Sequence, residues 1–227
     1  MTPTAARAAP VALTLVLAAC GGDGPAAVDP LAAVVAIAAS GCRPVPTHAV
    51  GTVVGDELVV TVAHAVAGES EIAVRTADGR ELRGVVAAID VGLDAAVLRV
   101  DGLDADALAS RSYDEDGDDD DDVSLLGVHD GEVDRRLIAI RRRVTIRTSD
   151  IYRQGEHLRP GLEVEARVQA GDSGGGVVGA DGRLLGIVWA ASRRADDRAW
   201  ALTADAFAPL VAAAASDRPP REATCSR

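Results

Sequence analysis

The sequence lacks lysine: all 23 basic residues among its 227 are arginine. With alanine so abundant, that marks a GC-rich genome, not a function. Aromatic residues make up only 2%, so a core must be built from Val, Leu, Ile and Ala. The formal charge is −12, and no basic excess is available to neutralise phosphates, which argues against nucleic acid as a partner. The four histidines, His48, His64, His129 and His157, include no pair at metal-ligand spacing, so neither a metal nor a cofactor is expected. Long helical periods are missing from residues 31–108. The length allows one domain of ordinary size or two small ones.

What the chain has is short apolar runs separated by turn residues. In the first half these are 33–37, 50–54, 58–62, 71–75, 81–89 and 95–100, with turns at Gly55-Asp56-Glu57 and Ala77-Asp78-Gly79-Arg80. In the second half they are 123–128, 135–140, 143–148, 162–168, 176–179, 184–189 and 200–202. Strands this short and this regularly spaced predict an antiparallel barrel or sandwich. Thr203 is placed to cap a closing helix over 204–215, which Pro209 is expected to bend or restart.

Three polar residues stand out at the ends of apolar runs. Ser173 sits in Gly171-Asp172-Ser173-Gly174-Gly175, where glycines permit a tight turn. Such a turn can aim the N–H groups of Gly171 and Ser173 at one point beside the hydroxyl, to stabilise charge that develops in a transition state. A plain glycine-rich hairpin is the bland alternative. A serine hydroxyl needs a base, and the base needs an orienting group. His64 ends the run 60–63, and its ordinary pKa lets it accept a proton near neutrality. Asp94 directly precedes the apolar run 95–98; Asp90 competes with it but suits a turn cap better. His48, His129 and His157 sit in no comparable block and read as structural or solvated. Arg141-Arg142-Arg143 reads as a solvated face.

The order His64, Asp94, Ser173 is the chain order of the chymotrypsin-type triad. In these blocks, and in Gly51-Thr52-Val53-Val54, Asp150-Ile151-Tyr152-Arg153 and 171–188, the sequence resembles trypsin-like serine peptidases. The resemblance is to their bacterial HtrA-like branch, and in particular to actinobacterial periplasmic serine proteases of the MarP type. It extends over residues 34–207. It implies an all-β fold of two antiparallel six-stranded barrels, about 31–108 and 123–202, within a protease domain spanning 31–215 that ends in a short helix. It implies a serine endopeptidase acting on protein or peptide, with Ala190, Ala191 and Ser192 lining the pocket for the residue before the cut bond. It also brings Arg153 and His157 towards the active-site side. Arg167 stands where digestive trypsins hold an aspartate, which weighs against cleavage after Arg or Lys. Gly176 replaces the usual proline, and Val62 a commoner asparagine; neither change removes a catalytic atom. No Ile-Val-Gly-Gly start is present, so a new N-terminal amine is not expected to pair with Asp172. A catalytically silent binding protein on the same fold and an esterase using the same triad are the competing functions.

The ends of the chain point to export. Arg7 precedes the apolar run Val11–Ala19, too short for an ordinary membrane span but suited to a signal core, so 1–19 reads as a signal segment. Leu17-Ala18-Ala19-Cys20 resembles a bacterial lipobox, which would lipidate Cys20 and anchor the chain in an envelope membrane. The alternative is an ordinary cleaved signal. Residues 20–30 form a tether and 216–227 a tail. Cys42 and Cys225 then remain, either as two thiols or as a bridge clamping the ends of the domain, the pairing the resemblance implies. The acidic block 114–122, within a linker over 112–122, reads as a solvated connection, with a calcium loop as the alternative. A monomer is expected.

Overall fold

The structure, a computed structural model, describes residues 28–114, 122–216 and 223–225. The first half forms β1 (Val34–Ser40), β2 (Thr47–Gly55), β3 (Leu58–Thr61), α1 (Ala63–Val66), β4 (Glu71–Thr76), β5 (Glu81–Arg83), β6 (Val85–Asp90) and β7 (Ala95–Arg99). The second half forms β8 (Ser124–His129), β9 (Glu132–Leu137), β10 (Ala139–Thr148), β11 (His157–Glu165), β12 (Gly176–Val178), β13 (Leu184–Ala191), β14 (Arg198–Thr203) and α2 (Ala204–Ala214). The signal segment, Cys20 and most of the acidic block lie outside the described residues.

All the strand pairings within the two sheets are antiparallel. One sheet runs β5-β4-β1-β2-β3-β7-β6 and the other β10-β11-β14-β13-β12-β8-β9. Each has seven strands, but in each the two edge strands are consecutive in sequence. Gly84 alone separates β5 from β6, and Ile138 alone separates β9 from β10. The chain thus joins the two edges of each sheet through one bent strand. Counting that bent strand once, both sheets hold six strands wound in the order first, second, third, sixth, fifth, fourth. The run 81–89, expected as one strand, bends because Gly84 donates its N–H to the Ile72 carbonyl and has no Cβ to press on Val74.

Side chains alternate across a strand, and here both faces are often apolar. Leu125, Val177, Leu185, Val188 and Ala201 fill the interior of the second barrel. Their neighbours Leu126, Val178, Leu184, Ile187 and Leu202 belong to the larger core, which includes the first barrel and α2. The continuous apolar runs of β12 and β13 follow from this double burial. Phe207 of α2 is 1% exposed, the largest fully buried side chain, and burying such a group contributes about 1.5–3 kcal/mol.

α2 runs through Pro209 without a break. Thr203 has the extended angles of an N-cap, but its hydroxyl makes no capping bond and is buried without a partner, so the cap expected there is not formed. At the other end Arg99 donates to the Ala214 carbonyl at 2.7 Å. Cys42 and Cys225 form a disulfide across 183 positions. In a chain-entropy picture a closure that long stabilises by about 5 kcal/mol. It lays Thr224 and Cys225 against Gly68, just beyond α1, where any Cβ would strike the Cys225 backbone.

Candidate active site

His64 lies on α1, a single helical turn that follows β3 directly. Its ring Nδ1 is 2.9 Å from Asp94 Oδ2 and 3.1 Å from Oδ1. Its backbone N–H donates to Asp94 Oδ1 at 2.8 Å. One carboxylate therefore fixes both the chain and the ring of His64. Asp94 is 5% exposed and sits at the start of β7 with φ +63, a left-handed angle unusual for a side-chain-bearing residue. Asp90 instead accepts the N–H groups of Gly92 and Leu93, both at 2.9 Å, and so caps the turn before Asp94.

Behind Asp94 stands Arg159 of β11, a residue the sequence did not single out. It is 2% exposed. Its Nη1 is 3.6 Å from Asp94 Oδ2, its Nε donates to the Gly92 carbonyl at 2.8 Å, and its Nη2 to the Ser149 carbonyl at 3.1 Å. Its guanidinium lies 4.4 Å from the ring centre of Trp189 on β13, a cation–π contact. Burial pushes its pKa below the ordinary arginine value, against the pull of Asp94, Asp90 and Asp150.

Ser173 lies on the connection between β11 and β12. Its carbonyl accepts the Val50 N–H of β2 at 2.8 Å, which docks the turn onto the first barrel. Thr61, at the end of the strand that leads to His64, donates its hydroxyl to the Val50 carbonyl at 2.7 Å. Gly174 has φ +89, and a side chain there would strike the Val50 carbonyl and Thr61. Gly171 has φ +104. Among the described residues, the N–H groups of Gly171 and Ser173 have no hydrogen-bond partner. Nor is there a hydrogen bond between the Ser173 hydroxyl and the His64 ring among them; such bonds often tighten only once substrate is bound. An oriented imidazole, a serine on a glycine-shaped turn and two free amides are the parts that acyl transfer requires.

Asp172, between those two amides, is 2% exposed. Its Oδ2 accepts the Gln169 N–H at 2.8 Å, and its Oδ1 lies 3.0 Å from Arg136 Nη2 and 3.3 Å from His129 Nε2. Ala190 and Ala191 end β13, paired with Trp200 and Ala199. Ser192 follows, its N–H on the Arg198 carbonyl and its hydroxyl accepting from the N–H groups of Arg194 and Ala195. His48 is exposed on β2, and His157 begins β11 with its ring beside Gly92.

The sequence profile of the trypsin-like peptidase domain matches residues 49–187. The chain belongs to that family. It is 28% identical over 202 residues to the serine protease Rv3671c of Mycobacterium tuberculosis, covering 88% of this chain and 50% of that protein. It is 32% identical over 140 residues to a probable periplasmic serine endoprotease, DegP-like, of Halomonas elongata, covering 58% of this chain and 27% of that one. The chain thus spans about half the length, or less, of these curated relatives. Among solved structures it resembles the active form of the Rv3671c protease with a TM-score of 0.79 at 26% identity, over 98% of this chain and 100% of that one. Against an inactive form of the same protease the TM-score is 0.70, again at 26% identity, over 82% and 91%. No helix among the described residues is long and apolar enough to cross a membrane.

Proposed function

We propose that the chain is a serine endopeptidase of the cell envelope, with Ser173 as nucleophile, His64 as general base and acid, and Asp94 as the group that orients His64. Ser173 Oγ bonds to the substrate carbonyl carbon while its proton passes to His64. The carbonyl oxygen becomes an oxyanion and takes the N–H groups of Gly171 and Ser173. The C–N bond then breaks as His64 gives the proton to the leaving amine. Water attacks the acyl-enzyme ester, His64 accepts the water's proton, and Ser173 Oγ leaves with it. Ala190, Ala191 and Ser192 flank the residue before the cut bond. The better match to the active form of the relative supports this reading.

The observation that carries it is the double hold of one buried carboxylate on His64, ring and backbone together, beside a glycine-shaped turn at Ser173 that keeps two amides free and docks on the first barrel through Val50. The reading includes export through residues 1–19, lipidation at Cys20 and action as a monomer.

The test is labelling of the purified, oxidised protein with a fluorophosphonate probe, beside Ser173→Ala and His64→Ala. Labelling present in the wild type and lost in both variants is the expected result. Equal proteolysis by wild type and Ser173→Ala would overturn it. Labelled palmitate taken up by the expressed chain and lost in Cys20→Ala checks the anchor.

A further inference from the structure

α1, the turn that carries His64, is only four residues long. The last carbonyls of a helix find no amide within their own helix, and a single turn consists of little else. Ala67 donates to the Ala63 carbonyl at 2.9 Å, and the Glu69 N–H to the Val66 carbonyl at 3.2 Å. The chain then turns away, with Ala67 extended and Gly68 at φ +73. The carbonyls of His64 and Ala65 must find donors elsewhere, because a backbone group shut away from water is costly when unpaired.

Arg43, in the connection between β1 and β2, meets both. Its Nη2 donates to the His64 carbonyl at 2.7 Å and to the Ala65 carbonyl at 3.3 Å. Its Nε donates to Glu69 Oε1 at 2.9 Å, and Glu69 Oε2 accepts the Cys42 N–H at 2.7 Å. The Glu69 side chain is wholly buried, while that of Arg43 is 24% exposed. A buried carboxylate bonded through both oxygens is a fixed anchor. A planar guanidinium can hold that anchor with one nitrogen and donate to carbonyls with another. Asp94 already accepts the N–H of His64. Both backbone groups of His64 are thus tied to side chains outside α1, and the direction in which its Cβ leaves the chain is set by the two together.

We propose that Arg43, anchored by Glu69, is a positioning residue for the base His64. It fixes the His64 backbone through the carbonyl, while Asp94 fixes the N–H and the ring. The imidazole is thereby aimed from two supports. The proposal rests on the peptidase reading above and assigns its base a second support besides Asp94.

The experiment compares the full-length, oxidised wild type with Arg43→Met, Arg43→Lys and the double variant Arg43→Met/Glu69→Leu, and with Arg147→Gln as an exposed control. Fluorophosphonate labelling rate, kcat and KM on a peptide substrate, the low-field NMR resonance of the His64 Nδ1 proton, and amide hydrogen exchange across 64–69 are measured. Circular dichroism fixes a temperature at which each variant compared is fully folded. Arg43→Met is expected to lower kcat and labelling about 10–100-fold, as for a catalytic group displaced by about an ångström, with KM changed less than about threefold. The Nδ1 resonance should shift or broaden, and exchange at Ala67 and Glu69 should speed up. Arg43→Lys should restore part of the rate, since an ammonium keeps the charge but lacks the fork that reaches carboxylate and carbonyls at once. A purely structural role would lower stability and leave kcat and the resonance of the folded protein unchanged. Arg43→Met strands the buried Glu69 charge; if it does not fold, the double variant, which removes both charges, carries the same comparison with the same expected loss. Wild-type kcat and an unmoved resonance in a folded Arg43→Met, or in the double variant, would overturn the proposal. A wild type that neither labels nor cleaves would sink the peptidase reading instead; resonance and exchange would still decide the support of His64, both unchanged in the variants overturning it.

Discussion

The two barrels hold the proposed reactive groups by different means. In the first, His64 stands on the helical turn that follows β3 and Asp94 immediately before β7, so each adjoins a buried strand that the ladder fixes; a few hydrogen bonds finish the alignment. In the second, Ser173 stands on residues 166–175, a connection outside the strands, where the neighbouring Asp172 lies against Arg136 and His129. A strand end inherits its position from hydrogen bonds shared along the sheet. A loop does not, so its backbone polar groups need partners of their own. The barrels also brace each other. Val50 of the first grips the Ser173 carbonyl, Arg159 of the second stands behind Asp94, and Ile151 donates to the Val91 carbonyl. Each half of the site is incomplete without the other barrel.

The largest effect comes from removing the acceptor that aligns His64. Asp94→Asn keeps the shape but leaves a side chain that can also donate, so the imidazole can take the wrong tautomer. A fall of about 10⁴-fold in kcat with little change in fold is expected, by analogy with the general behaviour of such triads. Steady-state kinetics beside circular dichroism checks it. A loss below about tenfold would mean that the strand-end placement of His64 is sufficient without the carboxylate.

The next breaks the brace across the barrels. Arg159→Met keeps much of the side-chain volume and removes the charge near Asp94, together with the donors to Gly92 and Ser149. Removing one partner of a buried ionic contact costs about 3–5 kcal/mol, and the longer 3.6 Å approach here places this case at the lower end. A stability loss of about 3 kcal/mol by denaturant titration and a drop of about 10–100-fold in kcat are expected. Combining it with Asp94→Asn in a double-mutant cycle should give a total smaller than the sum, because both changes act on one contact. Strict additivity would show that Arg159 supports only the fold. Arg159→Lys should not restore the protein fully, since an ammonium lacks the planar fork that reaches two carbonyls and the Trp189 ring.

The residues proposed to carry chemistry stand out in the sequence where their type is rare at such a place. A histidine or an aspartate ending an apolar run has little packing reason to be there, and Gly171–Gly175 has little reason other than a special turn. The strands were legible because their faces are apolar on one or both sides; breaks at Gly84 and Ile138 divided the runs 81–89 and 135–140, each expected to be one strand, and at Gly84 a glycine inside a run is the signal that could have found it. Of the run expected as a solvated face, Arg141 and Arg142 are exposed and reach Glu165 and the buried Glu163 of β11, while Arg143 is half-buried and meets Asp205 of α2. Arg159, Arg136 and His129 were not legible. In a chain whose every cation is arginine, a buried arginine looks like any other. The polar alternation of Asp134 and Arg136 opposite Gly127 was the one hint, and it becomes meaningful only once β8 and β9 are paired. Their partners Asp94 and Asp172 lie far away in sequence, so no local pattern could join them. Thr203 failed as a cap for the opposite reason: local preference favoured it, and its hydroxyl is buried in the structure without a partner.

The smallest effect sharpens the contrast between a buried and an exposed pairing of the same residue types. Asp181, in the turn before β13, meets Arg111 Nε at 2.8 Å and accepts the Arg183 N–H at 3.1 Å. Burial works to raise its pKa, but the Arg183 N–H and the Arg111 guanidinium outweigh it, and the net shift is downward. A carboxyl held below its unfolded pKa stabilises the fold above that unfolded value, and the contribution disappears as pH falls through the folded one. Asp181→Asn should therefore destabilise at neutral pH and have no effect in strong acid. Because the Asp181 side chain is 42% exposed, the loss at pH 7 is expected to stay under about 1 kcal/mol and to shrink further in 1 M salt. Denaturant midpoints of wild type and variant, measured across pH 2–7, check the sign and the size. A loss as large as that of Arg159→Met would mean that water does not screen this turn, and that exposure does not separate the supporting ion pairs of the second barrel from its ornamental ones.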